Sequence, residues 1–445
     1  MSGSVTEQLV RAGFGDADAR SRTALVEQAT QHHLRVVRQA AARAWFVPGR
    51  IEVFGKHTDY AGGRSLVAAV PRGFAIVASP RRDGIVTVHD ARWQSEMAVD
   101  PRRDEPSFRG WANYVAVVAR RFARNFPGAD LGVDLTIASD LPTASGLSSS
   151  SALVVGVSSA LVDCASLDRR PEWRTAIQSL LDLAGYLGAV ENGLTFPSLP
   201  GSAGVGTHGG SEDHTAILTG RADTISAFRY VPVRALEVVM LPPDWRFTVL
   251  TSGVHADKAG AVREKYNRAS LLTRALVEAW SVATGRPGGS LADVLAIEGA
   301  EPELRRLVRA GSGGYGGEDL ERRLTHFIAE DERVLPAVHA CRTADAGAIG
   351  ALADASQHDA RELLGNQVEE TIRLAALARE AGAFAASSFG AGFGGSVWAL
   401  VRAGEADQFA AAWRTAYQRE FPAARPVDGF TCRPSPGATR LELSG

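Results

Sequence analysis

The feature that most constrains this 445-residue chain is a glycine-serine loop set between a β-rich run and a helical one. Leu131 to Ala138 has the apolar character of a strand, and Ser151 to Leu161 is small and apolar, as in a buried helix. Between them runs Leu141-Pro142-Thr143-Ala144-Ser145-Gly146-Leu147-Ser148-Ser149-Ser150-Ser151-Ala152. Glycine lets a backbone approach an anion closely, the open N–H groups of a helix start favour phosphate, and serine hydroxyls reach phosphate or Mg²⁺ oxygens. The loop predicts a phosphate cradle without a Walker lysine. An isolated serine run reads equally well as a linker. Pro142, Gly146 and the apolar helix that follows set this one apart.

The rest of the chain surrounds this loop with mixed elements. Residues 6 to 45 have helical spacing, Pro48-Gly49 reads as a turn, and Gly73 to Val88 reads as a hairpin about the Arg-Arg-Asp-Gly turn at 81 to 84. Trp111 to Phe126 predicts a helix, and Thr195 to Gly210, with Pro197, Pro200 and five glycines, a functional loop. Phe247 to Thr251 and Ser396 to Val401 read as strands, with helices from about Ala259 to Ala283, over 336 to 382, and from Glu405 to Phe421. Strands and helices mixed in both halves predict α+β rather than regular βαβ winding. A length of 445 residues exceeds what one core usually serves, so two domains are expected, 1–225 and 226–445.

Composition excludes several classes of function. Forty-eight Lys and Arg against 50 Asp and Glu leave no electrostatic footprint for nucleic acid or an anionic membrane, so an anionic ligand must be held by local groups. No apolar run is long enough to span a bilayer, and the N-terminus lacks the apolar region of a secretory signal. Cys164, Cys341 and Cys432 fit no metal or redox spacing and read as reduced thiols of a cytoplasmic protein. The expected partners are small molecules, with the chain a monomer or homodimer.

A second motif, Pro48-Gly49-Arg50-Ile51-Glu52-Val53-Phe54-Gly55-Lys56-His57-Thr58-Asp59-Tyr60-Ala61-Gly62-Gly63, gathers Arg, His and Asp among glycines. It resembles the signature of the galactokinase family, in the superfamily of galacto-, homoserine, mevalonate and phosphomevalonate (GHMP) kinases. The loop at 142 to 152 is similar to that family's phosphate motif, and Ser387-Ser388-Phe389-Gly390-Ala391-Gly392-Phe393-Gly394-Gly395-Ser396 to its C-terminal glycine motif. Trp111-Ala112-Asn113-Tyr114 and Tyr266-Asn267-Arg268 are lesser matches. The resemblance implies an N-terminal domain like the second domain of ribosomal protein S5, a ferredoxin-like C-terminal domain, and an active site between them. It also implies ATP and Mg²⁺, and a sugar hydroxyl as phosphoryl acceptor. A kinase for galactose is the leading reading. A kinase for a uronic acid, arabinose or a heptose phosphate, or a silent sugar sensor, is the alternative.

Phosphoryl transfer to a sugar hydroxyl needs a positioned acceptor, cations on the phosphate oxygens and often a carboxylate to take the proton. By resemblance, Gly209-Gly210-Ser211-Glu212-Asp213-His214 occupies the place of the catalytic aspartate segment, making Asp213 the base and Arg50 its partner. Glu212 and His214 stand where the family commonly has Met and Gln. His214 is either a ligand or a structural histidine. His57, Asp59, Gly210 and Tyr266 are the implied sugar contacts, and Gly146, Leu147, Ser148, Ser149, Ser150 and Ser151 the implied ATP loop. Trp111 either lines the adenine pocket or packs in the core. Mg²⁺ would take Glu191 and one serine, Ser149 in the preferred register with Ser148 and Ser150 as rivals. Lys56 stands where the family usually has Glu, and Glu52 where it has Asn. A lysine donates only and carries the opposite charge, so in the sugar pocket Lys56 would select an acidic acceptor. The other orientation turns it away, to Glu52 or Asp59.

Overall fold

The computed structural model describes residues 3–103, 108–142, 145–254, 260–309, 311–424 and 427–443. Thr143 and Ala144 of the phosphate loop, and Ala259 at the expected start of the long helix, lie outside the described residues.

Eight strands form the first sheet: β1 (Arg43–Phe54), β2 (Arg64–Pro80), β3 (Val86–Asp90), β4 (Ser95–Val99), β5 (Val133–Ser139), β6 (Thr224–Arg229), β7 (Arg234–Met240) and, at the far end of the chain, β12 (Thr439–Leu441). Their order is β12-β1-β2-β5-β3-β4, with β6 and β7 continuing from the first residues of β2. Alternate side chains of β2 enter different cores. Ala75 and Val77 meet Phe14, Ala19 and Val26 around the helix Asp16–Val37, whereas Ile76 and Ala78 join Leu153 and Val157 of the helix Ser149–Ala165. Burial on both faces explains why β2 is apolar almost throughout, although side chains alternate with period two.

The second sheet is antiparallel, in the order β11 (Gly429–Cys432), β8 (Trp245–Thr251), β10 (Ser396–Arg402), β9 (Ala385–Phe389). Val397, Ala399 and Val401 pack against the helices Glu369–Glu380 and Ala406–Glu420, while Trp398 and Leu400 face the core that the first sheet also uses. The chain is a two-domain α+β protein whose halves share buried apolar contacts. Among the described residues no helix is long and apolar enough to cross a membrane.

Three expectations change. The run from Gly73 to Val88 is not a hairpin, because β5 lies between β2 and β3 and pairs parallel with β3. Arg81 ties the end of β2 to β5: its N–H donates to the Gly132 carbonyl oxygen at 2.9 Å and its Nη1 meets Asp134 Oδ1 at 2.7 Å. Pro48-Gly49 is not a turn but continuous strand in β1, opposite a bulge of β2 where Pro71 and Arg72 drop out of the register. A Cβ on Gly49 would stand 2.6 Å from the Leu147 carbonyl oxygen, so this glycine lets the phosphate loop lie directly on the strand. Finally, β6 and β7 belong to the first sheet, so in sheet membership the crossing falls after Met240 rather than at 225, with β12 returning across it.

Candidate active site

The three motifs meet in space. The Arg50 N–H donates to the Leu147 carbonyl oxygen at 3.2 Å, and Arg50 Nη1 donates to the Gly146 carbonyl oxygen at 2.6 Å, joining the first motif to the phosphate loop. Glu52 Oε2 accepts the Gly390 N–H at 2.8 Å, joining the first motif to the C-terminal glycine segment. Ser396 closes the triangle by donating its hydroxyl to the Ser145 carbonyl oxygen at 2.6 Å.

One cleft lies at this junction. It brings together Arg50, His57, Asp59, Ser151, Glu191, Gly210, Asp213 and Tyr266 from the sequence reading, and adds Glu52, Tyr60, Glu212, His214 and Gly390. At its centre Arg50 Nη2 meets Asp213 Oδ1 at 2.5 Å, and the other Asp213 oxygen accepts the Ser151 hydroxyl at 3.1 Å. Asp213 keeps a fifth of its side chain exposed to the cleft, whereas Arg50 is buried. Burial opposes the Arg50 charge, and the neighbouring carboxyl groups, Asp213 foremost, more than restore it, so the guanidinium stays protonated. A fixed cation beside a partly open carboxylate is the arrangement that general-base phosphoryl transfer requires.

The residues expected to contact a sugar line the same cleft as Asp213. Asp59 is buried and accepts the Glu212 N–H on Oδ2 at 3.1 Å. Burial pushes its carboxyl upward, and that N–H works in the opposite direction. A Cβ on Gly210 would stand 2.2 Å from Asp59 Oδ2, which is why this position has no side chain. The rings of Tyr266 and His57 lie 5.3 Å apart, and His57 Nδ1 and the Tyr60 hydroxyl are 3.1 Å apart, giving the cleft an aromatic wall. Burial, then the charges of Asp59 and Asp213, hold the Tyr266 phenol well above its ordinary range, so it remains a donor.

Ser151 also reaches Glu191 Oε2, at 3.4 Å, and His214 Nε2 stands 3.2 Å from the same oxygen. The serine joined to Glu191 is thus Ser151, two residues beyond the preferred Ser149, which sits half-buried in the first turn of its helix. His214 is buried against Glu191, a contact across 23 positions that no local pattern announces. Ser148 adopts a left-handed backbone (φ 61°) before the helix, and its hydroxyl is buried without a hydrogen-bond partner among the described residues. A phosphate oxygen would satisfy it. Trp111 begins the helix Trp111–Asn125 and packs half-buried against the main core, outside this cleft.

Lys56 does not enter the cleft, and it pairs with neither Glu52 nor Asp59. Its ammonium is fully buried and donates to Ser356 Oγ at 2.6 Å and Ser387 Oγ at 2.7 Å. Its backbone N–H donates to Glu330 Oε1 at 3.2 Å. Burial lowers its pKa, and the Glu330 and Glu52 charges raise it. The C-terminal half offers Lys56 two hydroxyls and a carboxylate field, so the ammonium is spent between domains and the acidic-acceptor argument loses its cation.

Comparison with known proteins agrees with this geometry. The galactokinase galactose-binding signature matches residues 31–80, the N-terminal domain of GHMP kinases residues 113–194, and the C-terminal domain residues 337–419. A galactokinase of Chloroflexus aurantiacus is 31% identical over 387 residues, covering 83% of this chain and 86% of its own. One from Exiguobacterium sibiricum is 28% identical over 413 residues, 91% of this chain and 95% of its own. Among solved structures, Lactococcus lactis galactokinase complexed with galactose superposes with a TM-score of 0.75 at 23% identity, covering 94% of this chain and all of that one. Methanococcus jannaschii mevalonate kinase gives 0.53 at 14% identity, over 88% of this chain and 98% of its own, and marks the wider fold. With three GHMP-kinase motifs meeting in one cleft and this identity along most of its length, the chain belongs to the galactokinase family.

Proposed function

We propose that this protein transfers the γ-phosphoryl group of ATP to the C1 hydroxyl of galactose, giving galactose 1-phosphate and ADP. The observation that carries the reading is the Arg50–Asp213 pair, 2.5 Å apart where the sugar signature meets the phosphate loop. Asp213 takes the hydroxyl proton as that oxygen bonds to the γ-phosphorus, and the bond to the β–γ bridging oxygen breaks with ADP as leaving group. Arg50 holds Asp213 in place and faces the charge that develops on the transferring group. Asp59, His57, Gly210 and Tyr266 hold the sugar, and residues Gly146 to Ser151 hold the phosphates. Trp111 is not part of the proposed sugar cleft and is left to core packing.

Among the described residues no three His, Cys, Asp or Glu side chains cluster as a metal site. A hard cation shared with ATP needs less: Mg²⁺ takes one or two protein oxygens and leaves the rest of its shell to phosphate and water. The Ser151 hydroxyl and Glu191 carboxylate, 3.4 Å apart, fit that need, with Ser149 two residues earlier at the start of the same helix. When bound, the ion would neutralise phosphate charge. Galactose is favoured over an acidic acceptor because Glu52, Asp59, Glu191 and Asp213 line the cleft against one guanidinium, with the Lys56 ammonium turned elsewhere. The retained Arg50–Asp213 pair also favours an enzyme over a silent sensor. The test is Asp213→Asn, which should lower kcat by about 10²–10⁴-fold while leaving ATP affinity in place. More than about a tenth of wild-type kcat in that variant would remove Asp213 from the role of base.

A further inference from the structure

At the back of the cleft, more carboxylates converge on Arg50 than one guanidinium serves. Nη2 is given to Asp213 at 2.5 Å and Nη1 to the Gly146 carbonyl oxygen at 2.6 Å, while Nε faces Glu212 Oε1 at 3.4 Å without a hydrogen bond. The other acids each have a donor. Glu52 has the Gly390 N–H, Asp59 has the Glu212 N–H, and Asp213 has Arg50 and Ser151. Glu212 has none: its side chain is 2% exposed, and neither carboxylate oxygen has a hydrogen-bond partner among the described residues. An ion in that position would give up hydration for a single misaligned cation that Asp213 already engages. A neutral acid in the same place also lacks partners but gives up far less hydration than the ion.

We propose that Glu212 is a positioning residue, held as a neutral carboxylic acid behind Arg50, so that the guanidinium is left to Asp213. Its first helical position, on the helix Glu212–Thr219, fixes it there while its backbone N–H serves Asp59. The groups facing it are Arg50 and Glu52 from β1, Asp59, Asp213 on its own helix, and Tyr230 just beyond β6. Burial first, then the charge of Glu52, pushes the Glu212 carboxyl well up against the pull of Arg50. The Tyr230 phenol is itself held well above its ordinary range, chiefly by burial, and stays neutral. When Glu212 does ionise as the pH rises, its carboxylate competes with Asp213 for the guanidinium through Nε. Asp213 then loses its fixed orientation, and turnover falls.

The kinetic part of this inference rests on the kinase reading of the cleft; the protonation part does not. Infrared difference spectroscopy at neutral pH should show the carbonyl stretch of a protonated carboxylic acid in the wild type, with that band absent from both Glu212→Gln and Glu212→Met. The wild-type kcat/KM for galactose should fall on the alkaline side by about tenfold per pH unit, as for loss of a single proton, and Glu212→Gln should lack that limb. Absence of any such band in the wild type would overturn the proposal. So would a band kept in both variants, or an alkaline limb identical in wild type and Glu212→Gln. A band that disappears in the variants of a protein that never turns over ATP and galactose would uphold the neutral acid and sink the kinase reading instead.

Discussion

Replacing Lys56 by methionine separates a residue that selects the substrate from one that joins the domains. The substitution keeps an unbranched apolar stem and removes the ammonium, with its bonds to Ser356 Oγ at 2.6 Å and Ser387 Oγ at 2.7 Å. Hydrogen bonds to a charged group contribute about 1.5–3 kcal/mol each, so the two together contribute about 3–6 kcal/mol. Glu330 keeps Arg333 Nη1 and the Ser356 hydroxyl, both at 2.9 Å, and the Gly55 N–H at 3.0 Å, so its charge is not stranded. That places the loss near the lower bound, about 3 kcal/mol, from a total stability on the order of 5–15 kcal/mol. The expected result is a Tm lowered by up to about 10 °C, with the ratio of kcat/KM for galactose to that for galacturonate unchanged. Lys56→Glu would bury a second carboxylate beside Glu330 and should not yield folded protein. Thermal melting by circular dichroism, with steady-state kinetics on the two sugars, decides the matter. An unchanged Tm in Lys56→Met together with a shifted sugar ratio would refute the reasoning and return the ammonium to the cleft.

Three further predictions follow from the same contacts. Gly210→Ala places a Cβ 2.2 Å from Asp59 Oδ2 and must displace that carboxylate; the KM for galactose should rise about 10–100-fold, the loss of one charged hydrogen bond, with ATP affinity unchanged by calorimetry. Changing Ser148, Ser149 and Ser150 together to Ala should weaken ATP binding on the order of a hundredfold, at about 1 kcal/mol for each hydroxyl, and an unchanged Kd would make the loop a linker. Glu330 is pushed up by burial but held below its ordinary 4.5 by Lys56 and Arg333. Its contribution is therefore full above the unfolded value and is lost as pH falls through the folded one. Urea midpoints should decline with acidification in wild type, and less so in Glu330→Gln.

What could be read from the residues alone was local or periodic. The strand, glycine-serine loop and helix around Ser149 announce themselves within a short window of sequence, whereas Arg50, Asp59, Asp213 and Tyr266 stood out through the resemblance of their motifs to the galactokinase family. What was misread depended on long-range partners. Lys56 finds Ser356 and Ser387 across 300 and 331 positions, and Glu330 across 274, so nothing beside it signals which way it turns. The order of β2, β5 and β3 rests on β5 pairing with both strands from about 50 positions away, with Arg81 meeting Asp134 across 53 positions, whereas the turn at 81 to 84 by itself suggested a hairpin. Glu52 and Glu212 were visible as departures from the family pattern. Their standing behind Arg50 became legible only with β1 and the helix Glu212–Thr219 packed together.

The central claim is tested most directly by identifying the product. Purified protein with ATP, Mg²⁺ and, in turn, galactose, galacturonate, arabinose and a heptose phosphate would be followed by coupled ADP release, with phosphorus NMR to identify the phosphorylated sugar. The account predicts ADP release that depends on the sugar, the highest kcat/KM with galactose, and a phosphate on C1. Release of ADP with none of these sugars, or a higher kcat/KM for galacturonate or the heptose phosphate than for galactose, would contradict it.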